Sequence, residues 1–447
     1  MGRGEAFARI SLCLLKSWRA NASPLQYRFA LDGTVGPQIL FRGENDKTMP
    51  DTHISELKPM TDGVVPITVD ERLQRLEKAR RLMRENGLQA MFLEAGSSLR
   101  YYTGIDHWLS ERLIAAVIPA SGGLIYICPA FEEAKFRQMM SLNGNIDSDH
   151  SEVRVWEEDE NPYAVVAGIF KDHGIANGPV GVEETVRYFA FDGIRKAAPQ
   201  VTLTSADPVT IACRAFKSPA EIALIQRAMD ITVEVYTYSI AQLREGMSHI
   251  ELAQNGAAAY KALGGSGGIS AQFGASTAYP HGDPKMGVLR EGDVVLMDSV
   301  GQIEGYHSDI SRVVVFGTPT QRQRDVWSLE KEAQAAAFAA AQLGAPCEAV
   351  DAAARKVIND AGFGPGYKVP GLPHRTGHGI GLDIHEWHYL VKGNKTPLAP
   401  GLCFTNEPMI CIYGEFGVRL EDCFYMTDNG PHWFTQPSPS IEQPFVS

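Results

Sequence analysis

Imidazole and carboxylate side chains are concentrated in one short segment, His374–Glu386, which reads HRTGHGIGLDIHE and holds three of the twelve histidines of the chain. Neutral imidazole is the commonest metal ligand in proteins, so metal binding is the first chemistry to consider. The helical zinc motif H-E-x-x-H is absent, and three glycines disfavour a helix, each by about 1 kcal/mol. The pattern predicts a loop or strand that supplies one ligand, with the other ligands elsewhere. Surface histidines in a glycine-rich loop are the alternative.

Two aspartates frame a second segment of interest. Its pattern predicts two strands, Val294 to Asp298 and Tyr306 to Phe316, joined by a loop that contains two glycines. If these strands pair as a hairpin, the carboxylates of Asp298 and Asp309 lie opposite each other on one face, with Cβ atoms about 5 Å apart. A cation between them would remove their repulsion. The alternative is that both acids are solvated or cap amides of the turn.

Two glutamates follow in strand-like segments further along the chain. Glu407 ends the apolar stretch of CFTNEPMI, just before a proline, which is a poor setting for a solvated charge. In GVRLEDCFYMT the alternation predicts that Arg419 and Glu421 point to the same face of one strand. Mixtures of carboxylate and imidazole are typical ligand sets for divalent metals.

The predicted helices and strands indicate an N-terminal extension followed by two domains, and these domains must position the candidate ligands. Residues 1–60 are predicted to be a disordered or mis-annotated extension. Residues 61–210 alternate helices with strands, which predicts an α/β domain. The capping box Ser218–Glu221, with proline at the first helical position, begins a long helix near the start of a second domain at residues 214–440.

Composition narrows the class of partner. The formal net charge of −12 disfavours nucleic acid or an anionic membrane, since both prefer a basic surface. Seven cysteines without a C-x-x-C pair favour reduced thiols, and therefore a cytoplasmic location. No apolar run reaches the length of a membrane span. Peptides, sugars and small molecules remain as candidate ligands.

The order of the acidic and imidazole residues resembles a known family. The chain contains D-x10-D, then H-x-x-x-H-G-x-G, then E-P and R-x-E, which is similar to the metallopeptidase family of prolidase, aminopeptidase P and methionine aminopeptidase. The resemblance covers residues from about 214 to 430, and SSLRYYTG resembles the smaller N-terminal domain of prolidases and creatinase. It implies an α/β creatinase/prolidase-like domain followed by an α+β catalytic domain of the pita-bread fold. It also implies a homodimer or homotetramer.

The resemblance implies a site for two divalent metal ions. Asp298 would hold one metal, His378 and Glu407 the other, and Asp309 and Glu421 would bridge both. Glu407 would also act as the general base. Manganese is the expected metal, while zinc, cobalt and iron suit the same oxygen-rich ligand set.

Four further residues match family positions beside the metals. His281, His374 and His385 are implied to hold the substrate and to steady the reaction intermediate, and Arg419 is implied to orient the site. The alternative for each of these histidines, taken singly, is a residue behind the metal ligands or at the surface.

The implied activity is hydrolysis of the Xaa-Pro peptide bond in short peptides. An Xaa-Pro dipeptidase is favoured, and aminopeptidase P, which acts on longer peptides, is the alternative. Creatinase lacks the full ligand set, and methionine aminopeptidases generally lack the N-terminal domain. A related dimethylsulfoniopropionate lyase carries an acid where this chain has Val300, and relatives that became binding modules have lost ligands. Many family members have a glycine at that same position, which here is delayed to Gly301.

Overall fold

The computed structural model describes residues 53–144, 146, 150–175, 178–285 and 287–445. The extension predicted for residues 1–60 lies outside the described residues as far as residue 52. Residues 53–60 are described and include a short 3₁₀ turn at Ile54–Glu56. Leu57 and Met60, which the prediction assigned to the extension, pack partly buried against the core.

The N-terminal part is an α/β domain, as predicted. Its helices are α1 Val69–Glu85, α2 Ser97–Thr103, α3 Glu133–Leu142, α4 Pro162–Asp172, α5 Tyr188–Ala197 and α6 Asp207–Arg214, with a 3₁₀ turn at Ala130–Glu132. Its strands are β1 Ala90–Glu94, β2 Ala115–Pro119, β3 Ile125–Pro129, β4 Glu152–Trp156, β5 Pro179–Val182 and β6 Thr202–Ser205. They form one mixed sheet in the order β4-β3-β2-β1-β5-β6.

Both faces of this sheet are covered, which explains why its central strands are almost entirely apolar. In β1, Met91 and Leu93 enter the core cluster on one face, while Ala90 and Phe92 enter the cluster on the other. Alternate residues of a strand point to opposite faces, so a strand covered on both faces is apolar at most positions. The exception in β1 is the buried Glu94, whose carboxylate is held in an ion pair.

The second part is an α+β domain built from small sheets and long helices. Its helices are α7 Pro219–Ala241, α8 His249–Leu263, α9 Gln321–Ala340 and α10 Cys347–Asp360, with a 3₁₀ turn at Gly274–Ala278. Its strands are β7 Ser266–Phe273, β8 Val294–Ile303, β9 Tyr306–Val315, β10 Gly377–Gly379, β11 Glu386–Leu390, β12 Cys403–Asn406, β13 Met409–Ile412, β14 Phe416–Arg419, β15 Asp422–Thr427 and β16 Gly430–Trp433. The sheets have the orders β7-β8-β9, β11-β10-β12-β15-β16 and β13-β14.

The predicted capping box begins α7. The Ser218 side chain accepts a hydrogen bond from the backbone N–H of Glu221, and the Glu221 carboxylate accepts one from the N–H of Ser218. These bonds satisfy two N–H groups that the first turn of a helix leaves free. The change of architecture falls between α6 and α7, while the bounds predicted for the two domains stay a prediction.

Two details of the predicted strands are wrong. Strand β8 continues to Ile303, so that only Glu304 and Gly305 form the turn to β9. In the observed register Asp298 faces Ser311, and Asp309 faces Val300. The two aspartates therefore share a face but lie diagonally, farther apart than the directly opposed pair, with Cβ atoms about 5 Å apart, that was predicted. Val300 and Gly301 lie within the paired strand and form no turn.

Arg419 and Glu421 do not belong to one strand. Arg419 ends β14, which pairs with β13, whereas β15 begins at Asp422 in a different sheet. Glu421 lies between them and forms an isolated bridge with Ser311 of β9. The alternation of GVRLEDCFYMT is continuous in sequence, but the chain changes sheet within it.

The two domains share one continuous hydrophobic core. It includes Leu76 of α1, Tyr102 of α2, Ile225 of α7 and Ile310 of β9. The predicted order, an α/β domain followed by an α+β domain, is confirmed. Across the described ranges, no helix has the length and apolar character needed to cross a membrane.

Candidate metal centre and active site

His378 lies in the middle of β10, where glycines allow two strands to approach. A Cβ atom on Gly377 would collide with the carbonyl of Thr405 in β12, and one on Gly379 would collide with the carbonyl of Trp387 in β11. The glycines of the His374–Glu386 segment thus serve close backbone packing. The segment is a strand at the ligand itself and a loop on either side of it.

Hydrogen bonds fix the orientation of the His378 ring. Nδ1 lies 3.0 Å from the carbonyl oxygen of Gly379, and the backbone N–H donates to Thr405 Oγ1 at 3.0 Å. With Nδ1 as the donor, Nε2 is the ring nitrogen that faces the carboxylates, and when it is deprotonated its lone pair can bind a metal, as in other metal-binding histidines. His378 is 2 % exposed.

Glu407 follows β12 and faces the same ring. Its Oε1 lies 3.2 Å from His378 Nε2, and its backbone N–H donates to the carbonyl of Thr376 at 2.8 Å. Burial acts to raise the pKa of Glu407, but the hydrogen bond and charge of His378 lower the pKa to about 2. Glu407 is therefore held as a carboxylate.

Asp309 and Glu421 complete a buried group around His378. Asp309, His378 and Glu421 offer ligand atoms that all lie within 4.8 Å of one another. Asp309 Oδ2 is 3.7 Å from His378 Nε2. Burial, and then repulsion by neighbouring acids, raises the pKa of both carboxyl groups well above their ordinary values. Acids so placed are chemically matched to a cation that would relieve the repulsion.

Asp298 lies at the edge of this group and is paired with Arg419. Arg419 Nη2 donates to Asp298 Oδ2 at 2.6 Å, and Nη1 donates to the carbonyl of Pro280 at 3.0 Å. Arg419 Nε donates to Ser311 Oγ at 2.9 Å, and that hydroxyl lies 2.7 Å from Glu421 Oε2. Ser311 was not predicted as a site residue. It lies two residues after Asp309 on the same face of β9, but its place in the site depends on cross-strand contacts that the sequence alone does not show.

The three further histidines differ in how close they lie to this centre and in how deeply they are buried. The ring of His385 stands perpendicular to that of His378 with centroids 4.2 Å apart, and burial and the charge of His378 lower its pKa to about 4. His374 is largely enclosed; its Nδ1 lies 2.7 Å from the carbonyl of Arg375, while its buried Nε2 has no hydrogen-bond partner among the residues that the structure describes. Burial lowers the pKa of His374, and nearby His281 contributes to the same shift. His281 itself is exposed and directly follows Pro280, the residue held by Arg419.

The residues present fit a pair of divalent metal ions. Four carboxylates and one imidazole converge, and Arg419 is the cation that the structure places among them. A single guanidinium leaves most of the negative charge unbalanced, which two dications would neutralise. The unpaired Nε2 of His374 gives the cluster one more polar atom available to a bound molecule.

Comparisons with known proteins show the family to which the chain belongs. The family model "Metallopeptidase family M24" matches residues 223–428, and "Creatinase/Prolidase N-terminal domain" matches residues 75–216. The chain is 33% identical over 395 residues to an uncharacterised peptidase of Schizosaccharomyces pombe, covering 83% of this chain and 82% of that one. It is 29% identical to an Xaa-Pro dipeptidase of Lactobacillus delbrueckii, covering 82% and 98%.

A solved structure shows the same architecture. A recombinant prolidase of Thermococcus sibiricus superposes with a TM-score of 0.74 at 32% identity, over 81% of this chain and 96% of that one. The protein described here belongs to metallopeptidase family M24. Its catalytic domain has the pita-bread fold of the prolidases, as the resemblance implied.

Proposed function

We propose that this protein is an Xaa-Pro dipeptidase that uses two divalent metal ions. The observation that carries the proposal is the buried group of Asp309, His378 and Glu421, with Glu407 beside His378 and Asp298 at the edge of the group. The similarity to an Xaa-Pro dipeptidase and to a prolidase over nearly their full lengths supports the choice of substrate.

The five converging residues are the proposed metal ligands. Asp298 would hold one ion, His378 and Glu407 the second, and Asp309 and Glu421 would bridge the two. Two such ions supply Lewis acidity and lower the pKa of bound water. Arg419 keeps Asp298 in place through its 2.6 Å ion pair.

Within this site Glu407 is the proposed general base. It is held as a carboxylate, so it can accept the proton that water loses on attacking the scissile carbonyl and pass it to the proline nitrogen that leaves. His374 and His385 are proposed to contact the substrate, because both rings border the cluster and no described residue forms a hydrogen bond with His374 Nε2. His281 is proposed to bind the substrate carboxylate at the exposed rim.

Three finer proposals accompany the activity. Manganese is the proposed metal, since the ligand set is rich in carboxylate oxygen. The six cysteines among the described residues are all free and buried, which supports a cytoplasmic location. We also propose a homodimer or homotetramer.

A panel of three peptides tests the proposed substrate class. The metal-loaded protein should hydrolyse Ala-Pro and leave Ala-Ala and Ala-Pro-Ala largely intact, because an imidazole at the rim would bind the carboxylate of the proline residue. Ala-Ala is the matched control for the proline ring. Equal cleavage of Ala-Pro-Ala would identify an aminopeptidase P instead. No cleavage of any of the three would reject both peptidase activities and favour the lyase or binding-module functions.

A further inference from the structure

The loop between β10 and β11 contains His385, and a carboxylate lies on either side of this histidine in the sequence. Asp383 lies two residues before the histidine, and Glu386 lies directly after it. The backbone N–H of Asp383 donates to Glu386 Oε1 at 3.1 Å, which closes the loop around His385. Glu386 is 2 % exposed, so its charge must be compensated within the protein.

Two buried cations provide that compensation. Arg214 Nη2 lies 2.5 Å from Glu386 Oε1 and 2.7 Å from Asp383 Oδ2, so one guanidinium binds both flanking carboxylates. Lys217 Nζ lies 2.6 Å from Glu386 Oε2. Burial acts to raise the pKa of Glu386, but the charges of Lys217 and Arg214 lower it to about 2. Ion pairs therefore hold the loop on both sides of His385.

The cluster of Asp383, Glu386 and their two cations also contacts other side chains of the N-terminal domain. Ser97 Oγ donates to Asp383 Oδ1 at 2.5 Å. Arg214 Nη1 donates to Ser98 Oγ at 3.0 Å and lies 3.7 Å from Glu183 Oε1. Side chains of α2 and of the segment after β5 therefore anchor a loop that belongs to the catalytic domain.

The close packing of this cluster leaves the loop little freedom. A Cβ atom on Gly381 would come within 2.8 Å of both Glu386 Oε2 and Lys217 Cε. The His385 ring contacts the His378 ring at the other side of the loop. A shift of Glu386 would therefore move His385 relative to the metal centre.

We propose that Arg214 and Lys217 are positioning residues, which hold the His385 loop against the metal centre by binding the carboxylates on both sides of the histidine. This inference rests on the proposed function, in which His385 contacts the substrate. It assigns the N-terminal domain a part in the chemistry, because Ser97 and Ser98 belong to the same cluster.

A double-mutant cycle between Lys217 and His385 tests the proposal. Lys217→Gln should lower kcat/KM for Ala-Pro about tenfold, the size typical of groups that orient functional side chains. On a His385→Ala background the same change should cost less than about twofold, since the residue that Lys217 positions is absent. Lys217→Arg should recover most of the activity. Additive losses in the cycle would overturn the proposal.

Arg187→Gln is the matched control. Arg187 forms an ion pair with the buried Glu94 inside the N-terminal domain and donates to the carbonyl of Ser110, without touching the His385 loop. Its loss should lower stability while leaving kcat/KM per folded molecule unchanged. The Ser97→Ala variant, which removes one hydrogen bond from the partly buried edge of the cluster, should show a smaller loss of the same kind as Lys217→Gln.

A crystal structure of Lys217→Gln separates this proposal from the proposed function. The His385 ring should be displaced from its 4.2 Å contact with His378, whatever the substrate of the enzyme is. An undisplaced ring would overturn the positioning role. A wild-type protein that hydrolyses no Xaa-Pro peptide would reject the function, while the position of the ring would still be readable.

Discussion

Asp309 lies among like charges, and that placement decides what it can do. It is 5 % exposed, and burial together with the charge of Asp298 raises its pKa well above the ordinary value. The nearby His378 acts in the opposite direction but does not cancel the shift. A carboxyl group in this environment is stabilised as an anion when a cation lies between it and its neighbours.

Asp309→Asn should therefore abolish metal binding and activity together. The amide keeps the size of the carboxyl group but not its charge, so we expect fewer than two metal ions per chain and a loss in kcat/KM of at least about a hundredfold. Elemental analysis and peptide hydrolysis measure the two effects. Asp192→Asn is the control, because this partly buried aspartate of α5 pairs only with neighbours on its own helix in the N-terminal domain. An Asp309→Asn protein with full metal content would contradict the assignment.

The types of the site residues were predictable from sequence, whereas their geometry was not. Asp309, His378 and Glu421 could be singled out by type and order, and the structure brings them together. Ser311 could not, because its place beside Asp298 and Glu421 depends on the register of β8 and β9 and on a bridge between separate sheets. A hydroxyl in a strand carries no signal until its cross-strand neighbour is known.

At the scale of the secondary-structure elements, the packing of β10 between two strands explains the glycines on either side of His378. β10 is three residues long and lies between β11 and β12, with His378 at its centre. The sequence indicated that the glycines disfavour a helix, and the structure identifies the backbone carbonyls that approach them closely. Sequence reasoning missed the register of the β8–β9 hairpin and the change of sheet between Arg419 and Glu421, because both depend on contacts between distant segments.

Gly377→Ala should damage the metal centre through the backbone. The added methyl group would push β12 away from β10, at a cost of about 1–3 kcal/mol in the free energy of unfolding. Metal affinity should fall as well, since His378 and Glu407 lie on the two segments that separate. Gly268→Ala in β7 is the matched control, because nothing lies within 4 Å of its added Cβ atom. Equal stability of both variants in urea unfolding would disprove this explanation of the glycine.

At the scale of the whole molecule, the two domains are held together by polar links as well as by the shared core. Arg75 of α1 lies 2.8 Å from Glu71 and 3.5 Å from Glu221 at the start of α7, and it donates to the Tyr306 hydroxyl of β9 at 3.1 Å. Arg75 is 5 % exposed. A buried ion pair adds little net stability, but removing one partner leaves the other charge uncompensated.

Arg75→Met should accordingly destabilise the protein by about 3 kcal/mol. Arg81→Met on the same helix is the control, since Arg81 and its partner Glu85 are both more than half exposed and their pair contributes at most about 0.5 kcal/mol. Denaturant midpoints of the two variants measure the difference. Similar midpoints would show that the domains do not depend on Arg75.

Acid should weaken the same molecule through Glu386. Its pKa of about 2 lies below its ordinary value of 4.5, because the folded protein stabilises the ionised carboxylate of Glu386 more than the unfolded chain does. The stabilisation is complete above about pH 4.5 and is lost as the pH falls towards 2. The difference in urea midpoint between the wild-type and Glu386→Gln proteins, both metal-stripped, cancels the opposite pH dependence of Asp309 and Glu421, and it should change mostly below pH 5 when measured at pH 7, 5 and 3.5. A difference independent of pH over this range would contradict the role of the Arg214 and Lys217 charges.

The central claim is that the protein hydrolyses the Xaa-Pro bond with two divalent metal ions, held by the five proposed ligands from Asp298 to Glu421. The most direct measurement is the rate of Ala-Pro hydrolysis by the protein after chelation and dialysis, before and after addition of manganese, cobalt or zinc. We predict no turnover by the stripped protein, full recovery with at least one metal, and little recovery in Glu407→Gln. Undiminished hydrolysis by the stripped protein, or full activity of Glu407→Gln, would contradict the claim.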